Sequence, residues 1–88
     1  MYISQQLAAE AVEQVFAGRN LSVTLETLFA HHQNITPQQR AVAQDLSYGS
    51  LRYYGAVASL LSQLLEKPLP DERLRCLLLV AIYQLQYD

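Results

Sequence analysis

Residues 74–87 read LRCLLLVAIYQLQY. A helix over this stretch carries apolar side chains on every face, from Leu77, Leu78 and Leu79 through Val80, Ala81, Ile82 and Tyr83 to Leu85. Such a helix has no water-facing side, so it belongs at the centre of a fold with other elements around it. The run is too short to cross a bilayer, which takes about 20 apolar residues. It follows KPLP, residues 67–70, where Pro68 and Pro70 remove backbone donors and push their predecessors toward extended geometry. Asp71 and Glu72 then suit the positive end of a new helix. The spacing predicts a central helix over 71–87, and the rest of the chain must cover it.

Three segments are available as cover. A helix over 3–17 places Leu7, Ala8, Ala11, Val12, Val15 and Phe16 on one side, with Gln6, Glu10, Glu13 and Gln14 toward water. Gly18 stands where a helix ends in a left-handed residue. A short helix over 21–32 has Ser22 as its expected N-cap and Leu25, Leu28 and Phe29 as its stripe. His31 and His32 fall in its last turn, where positive charge suits the helix dipole. Adjacent histidines point to different sides, and no Cys, Asp or Glu stands beside them at ligand spacing, so no metal site is expected.

The third segment opens on T-x-x-Q. Thr36 is the N-cap, Pro37 takes the first helical position and Gln39 closes a capping box. Its stripe runs Val42, Leu46, Gly49, Tyr53, Ala56, Leu60, Leu64, in steps of three and four. The phase survives two glycines, so the spacing predicts one long helix over 37–66, bent near Gly49 or Gly55. Straight, it would be about 45 Å long at 1.5 Å per residue, more than a compact domain of this size spans. Gly49 on the stripe leaves room for another helix to come close. Arg52 beside it is expected to satisfy helix-end carbonyls or a carboxylate from another segment; the alternative is a phosphate contact. Tyr53 and Tyr54 are expected at the core boundary, with base stacking as the alternative.

The whole reads as an all-α domain spanning residues 1–88, a single unit. The chain is 51% hydrophobic and only 16% charged, which excludes a disordered segment. A net charge of −2 and a pI near 5.5 argue against a free-standing nucleic-acid binder, for which a basic surface is expected. One cysteine, Cys76, permits no internal disulfide and suits a reducing compartment. No basic start followed by an apolar run marks a signal peptide. The expectation is a cytoplasmic protein with no membrane partner.

Four stretches in order carry a resemblance: AAEAVEQVF, GRNLSVTLE, QDLSYGSLRYY and, after the proline break, LLLVAIYQLQYD. YG-x-LR together with YQL-x-Y resembles the NusB-like domain at the N-terminus of the bacterial rRNA cytosine-5 methyltransferases, the Sun, Fmu or RsmB group. The resemblance implies an all-helical fold of two small bundles sharing a core, continuing for about two more helices after the YQL helix. This agrees with the shortage of cover for the helix over 71–87. The domain is therefore expected to be incomplete at its C-terminal end, and the isolated chain to self-associate. The antitermination factor NusB is similar but begins with an arginine-rich helix, whereas the first cation here is Arg19.

The resemblance implies an accessory RNA-binding module that helps position 16S rRNA for a C-terminal catalytic domain using S-adenosylmethionine. The alternatives are a protein-interaction module, docking on its own catalytic domain or another protein, and a NusB-type transcription antitermination factor. No catalytic site is expected in these 88 residues, and no cofactor of their own. A cytosine-5 methyltransferase needs a reactive thiolate, and Cys76 inside an apolar helix is expected to be inert. The local concentration of cations is Lys67, Arg73 and Arg75, interleaved with Glu66, Asp71 and Glu72. These three are the expected RNA contacts, and the interleaved carboxylates predict weak binding to ribosomal RNA by the chain alone.

Overall fold

The computed structural model describes residues 2–65, 67 and 69–87. Five helices follow one another: α1 (Tyr2–Phe16), α2 (Leu21–His31), α3 (Pro37–Arg52), α4 (Tyr54–Leu64) and α5 (Glu72–Tyr87). Among the described residues there is no strand, as the helical spacing requires. Helix α1 packs on α2, α3 and α5, and α5 packs on α1, α3 and α4, so these two helices form the centre. They run antiparallel. Gln5 near the start of α1 donates to Gln84 near the end of α5 at 2.7 Å. Glu13 near the end of α1 holds Arg73 at the start of α5.

The core is built from small and branched side chains: Ala8, Ala9 and Val12 of α1, Leu46 of α3, Val57 and Leu61 of α4, and Cys76, Leu79, Val80 and Tyr83 of α5. The alanines of α1 allow two neighbours to approach it closely. Ser4 and Ser47 are buried without cost to the backbone, because each hydroxyl donates to a carbonyl, Ser4 to Gln39 at 2.9 Å and Ser47 to Ala43 at 2.7 Å.

Local signals set most helix ends. Gly18 has φ of 97°. Its N–H bonds the Val15 carbonyl, and the Arg19 N–H reaches back to Gln14, a Schellman turn that satisfies two end carbonyls of α1. The capping box at Thr36 is complete: its hydroxyl accepts from the Gln39 N–H at 3.1 Å, and the Gln39 side chain accepts from the Thr36 N–H at 2.9 Å. The Asp71 carboxylate accepts from the N–H groups of Arg73 and Leu74 at the head of α5. The N-cap of α2 is Asn20, not Ser22. The turn at Gly18 delivers the chain directly to Asn20, whose side chain accepts from the Val23 N–H at 3.1 Å.

The segment expected as one helix over 37–66 is two. It breaks at Tyr53, between the two glycines, where φ is −104° and ψ is 23°. The Tyr53 N–H still bonds Gly49, and its carbonyl accepts from Val57, so a single residue leaves the helix. The molecule measures 39 × 26 × 19 Å, too short for the straight helix the spacing suggested. Glu66, the expected end of that helix, and Pro68 of the expected stop lie outside the described residues.

The break also corrects the stripe. In α3 the buried face is wide, with Ala43, Leu46, Ser47, Gly49 and Ser50, because α1 and α5 both lie against it. Helix α4 packs chiefly on α5, so its buried face is narrow: Val57 and Leu61, flanked by Tyr54, Ala58 and Leu65. Ala56 and Leu64, expected inside, are exposed, and Leu60 is half-buried.

Candidate nucleic-acid interface

Lys67, Arg73 and Arg75 do not form one cluster. Residues two apart on a helix point to opposite sides. Arg73 turns toward α1, where its guanidinium donates twice to one Glu13 oxygen, at 2.8 and 2.6 Å, with Glu10 at 3.8 Å. This hydrogen bond, helped by both carboxylates, raises the Arg73 pKa above its ordinary value and keeps it charged. Its charge is already matched by two carboxylates.

Arg75 turns the other way. It donates to the Tyr54 hydroxyl at 3.0 Å, and its guanidinium lies 5.9 Å from the centre of that ring. The hydrogen bond it gives to Tyr54 raises its pKa, with Glu72 at 3.9 Å adding to the effect. Phe16 meets the Tyr54 ring edge-on at 5.2 Å. Beside Arg75 an open cleft of about 380 Å³ lies between α4 and the segment leading into α5. Ala58, Leu61, Ser62, Leu65, Lys67 and Leu69 complete its lining. The cleft thus joins two of the three expected cations with a hydroxyl.

Arg52 is exposed, and among the described residues it makes no hydrogen bond or ion pair. Neither the helix-end carbonyl nor the carboxylate expected for it meets it among the described residues. Its guanidinium lies 5.8 Å from the centre of the Tyr53 ring instead. Tyr53 in turn stacks on Tyr87 at 4.4 Å and on Tyr83 at 6.1 Å. Gly49 explains the arrangement. A Cβ there would overlap the Tyr83 ring, so the close neighbour is one side chain of α5 rather than its backbone. YGSLR and YQLQY, more than thirty residues apart, are two halves of one contact. The repeated tyrosine at positions 83 and 87 was the signal for it, since i and i+4 share a helix face.

The remaining candidates are structural. Cys76 is buried, and its thiol donates to Glu72 at 3.7 Å. Burial, reinforced by the Glu72 charge, pushes the thiol pKa up to about 12, so it is no nucleophile at neutral pH. His31 and His32 donate from Nδ1 to the carbonyls of Thr27 and Leu28, both at 2.8 Å, closing the end of α2. No group of metal-ligating side chains occurs among the described residues. No described helix is long and apolar enough to cross a membrane.

An all-helical domain with two central antiparallel helices and paired YGSLR and YQLQY segments defines the class. The chain belongs to the NusB family, which it matches over residues 3–88. It is 38% identical to the ribosomal RNA small subunit methyltransferase B of Photorhabdus laumondii, over 98% of this chain and 20% of that protein. The proteins of the same name from Proteus mirabilis and Pectobacterium carotovorum are 34% and 35% identical, with the same coverage. The chain thus spans about a fifth of the length of these curated relatives. No solved structure matches it.

Proposed function

We propose that this chain is the RNA-recognition module of a small-subunit rRNA methyltransferase, helping to position the ribosomal RNA for a catalytic domain beyond residue 88. The observation that carries this reading is the similarity to three such methyltransferases over 98% of the chain. Such an enzyme works in the cytoplasm on S-adenosylmethionine. The described residues do not fit that cofactor: they build only helices, with no strand and glycine-rich turn to cradle a nucleoside. Binding of the methyl donor and the chemistry therefore fall to the further domain.

Lys67 and Arg75 are the phosphate contacts of this reading. They share a cleft, where Arg75 has only the more distant Glu72 at 3.9 Å, whereas Arg73 is taken up at 2.6 Å by Glu13, with Glu10 beside it. Two phosphate contacts give weak affinity that falls measurably with salt. The logarithm of the binding constant is expected to fall with that of the salt concentration with a slope of about −1.4 on single-stranded RNA. Fluorescence anisotropy with fragments of small-subunit rRNA measures it. Lys67→Gln with Arg75→Gln flattens the slope, and Arg73→Gln leaves it in place. Tight binding that ignores salt would defeat this assignment.

A further inference from the structure

Three tyrosines meet where α3 passes into α4. Tyr83 is buried against Gly49 and anchors the group. Tyr53 and Tyr87 stand outside it, 39% and 42% exposed, with their planes 14° apart. The exposed Arg52 guanidinium lies against the Tyr53 ring with no carboxylate partner among the described residues. Tyr48, one turn before Arg52 on the same helix, is 46% exposed and extends the surface. Asp45 is a further turn back, about 10 Å from Arg52 along the axis, too far to neutralise it.

Burial does not explain this arrangement, since rings placed only for the core would hide more of their area. Two near-parallel rings held at stacking distance present a surface that another flat π system can extend. Every nucleobase has such a face, and aromatic stacking accepts all of them. A guanidinium beside the rings can stack on the next base or reach its phosphate. We propose that Tyr53, Tyr87 and Arg52 form a stacking site for unpaired bases of single-stranded RNA. The site rests on the RNA reading above but differs from the Lys67–Arg75 cleft, because it takes bases rather than phosphates.

The chain has six tyrosines and no tryptophan, so its own emission reports on stacking. The test titrates the 88-residue chain with an RNA octamer of adenosines and, separately, with an abasic ribose-phosphate octamer. The adenosine octamer is expected to quench tyrosine emission and to bind at least about tenfold tighter than the abasic one. Tyr53→Leu and Tyr87→Leu each reduce that preference about tenfold, Tyr87→Phe retains it, and all leave the abasic octamer's affinity unchanged. The comparison of the two octamers on the unaltered chain needs no variant, so it decides even if a substitution unfolds the domain. Equal affinity for both overturns the stacking site and leaves the phosphate-based RNA reading standing. Binding of neither overturns the RNA reading, and the site with it. Leucine variants that change the sedimentation of the chain without changing octamer binding would assign the rings to a protein contact, which also overturns the proposal.

Discussion

Two glycines six residues apart have opposite roles. Gly49 is buried where the Tyr83 ring crosses α3, and a methyl group there has no free space. Gly55, in the first turn of α4, has nothing within 4 Å of where a Cβ would stand, and its φ is not positive. Glycine costs a helix roughly 1 kcal/mol relative to alanine. Gly55→Ala is therefore expected to stabilise the domain by up to about 1 kcal/mol. Gly49→Ala gains the same helical preference but must displace an aromatic ring locked into the core, a crowding cost of about 1–3 kcal/mol. The net result is a destabilised protein. Urea denaturation of the two variants separates these effects, and equal midpoints would show that the Tyr83 ring yields freely. Because Tyr83 also supports Tyr53 and Tyr87, Gly49→Ala is expected to disturb the stacking site too.

At the scale of the element, the signals confined to a few residues were legible and those set by neighbours were not. The capping box at Thr36 is local chemistry, readable from four letters, and it formed as written. Thr36→Ala is expected to cost about 1 kcal/mol, and Thr36→Ala with Gln39→Ala less than the sum of the two, because each side chain serves the other's backbone. Thermal denaturation of the single and double variants checks this; strict additivity would mean that the two hydrogen bonds are independent. Gly18 was legible for the same reason. The phase of α4 was not. Two rows of side chains run along the 37–66 segment one residue apart, and both keep helical spacing through the glycines. Which row is buried depends on α5 being the chief neighbour along α4, which the spacing of the segment itself does not carry. The candidate site divides in the same way. The opposite directions of Arg73 and Arg75 follow from their spacing, whereas the stacking of Tyr53 on Tyr87 joins positions 34 residues apart, and the tyrosine repeat at 83 and 87 marks a face without saying what meets it.

At the scale of the molecule, the apolar character of α5 is only partly absorbed. Cys76, Leu79, Val80 and Tyr83 are buried, while Leu74 and Leu85 are 42% and 88% exposed. Leu74, Leu78, Ala81 and Leu85 follow one another in steps of four, three and four, so they form one row along the helix. Leu78 and Ala81 in the middle are half-buried and line a shallow apolar hollow with Leu77, next to Gln5 and Gln6 of α1. Leaving a leucine in water forgoes roughly 1.5–3 kcal/mol of burial. A continuous apolar row on a soluble domain is normally covered. For the 88-residue chain on its own, the simplest cover is the same row on a second copy, related by a two-fold axis. The chain is therefore expected to dimerise at micromolar concentration. Leu74→Glu with Leu85→Glu is expected to give a monomer of unchanged helicity, because both side chains already face water and leave the core intact. Sedimentation equilibrium with a hydrophobic dye as a second probe decides it. A chain that stays monomeric at high micromolar concentration and binds no dye would show that the row is adequately covered by α1 and needs no partner.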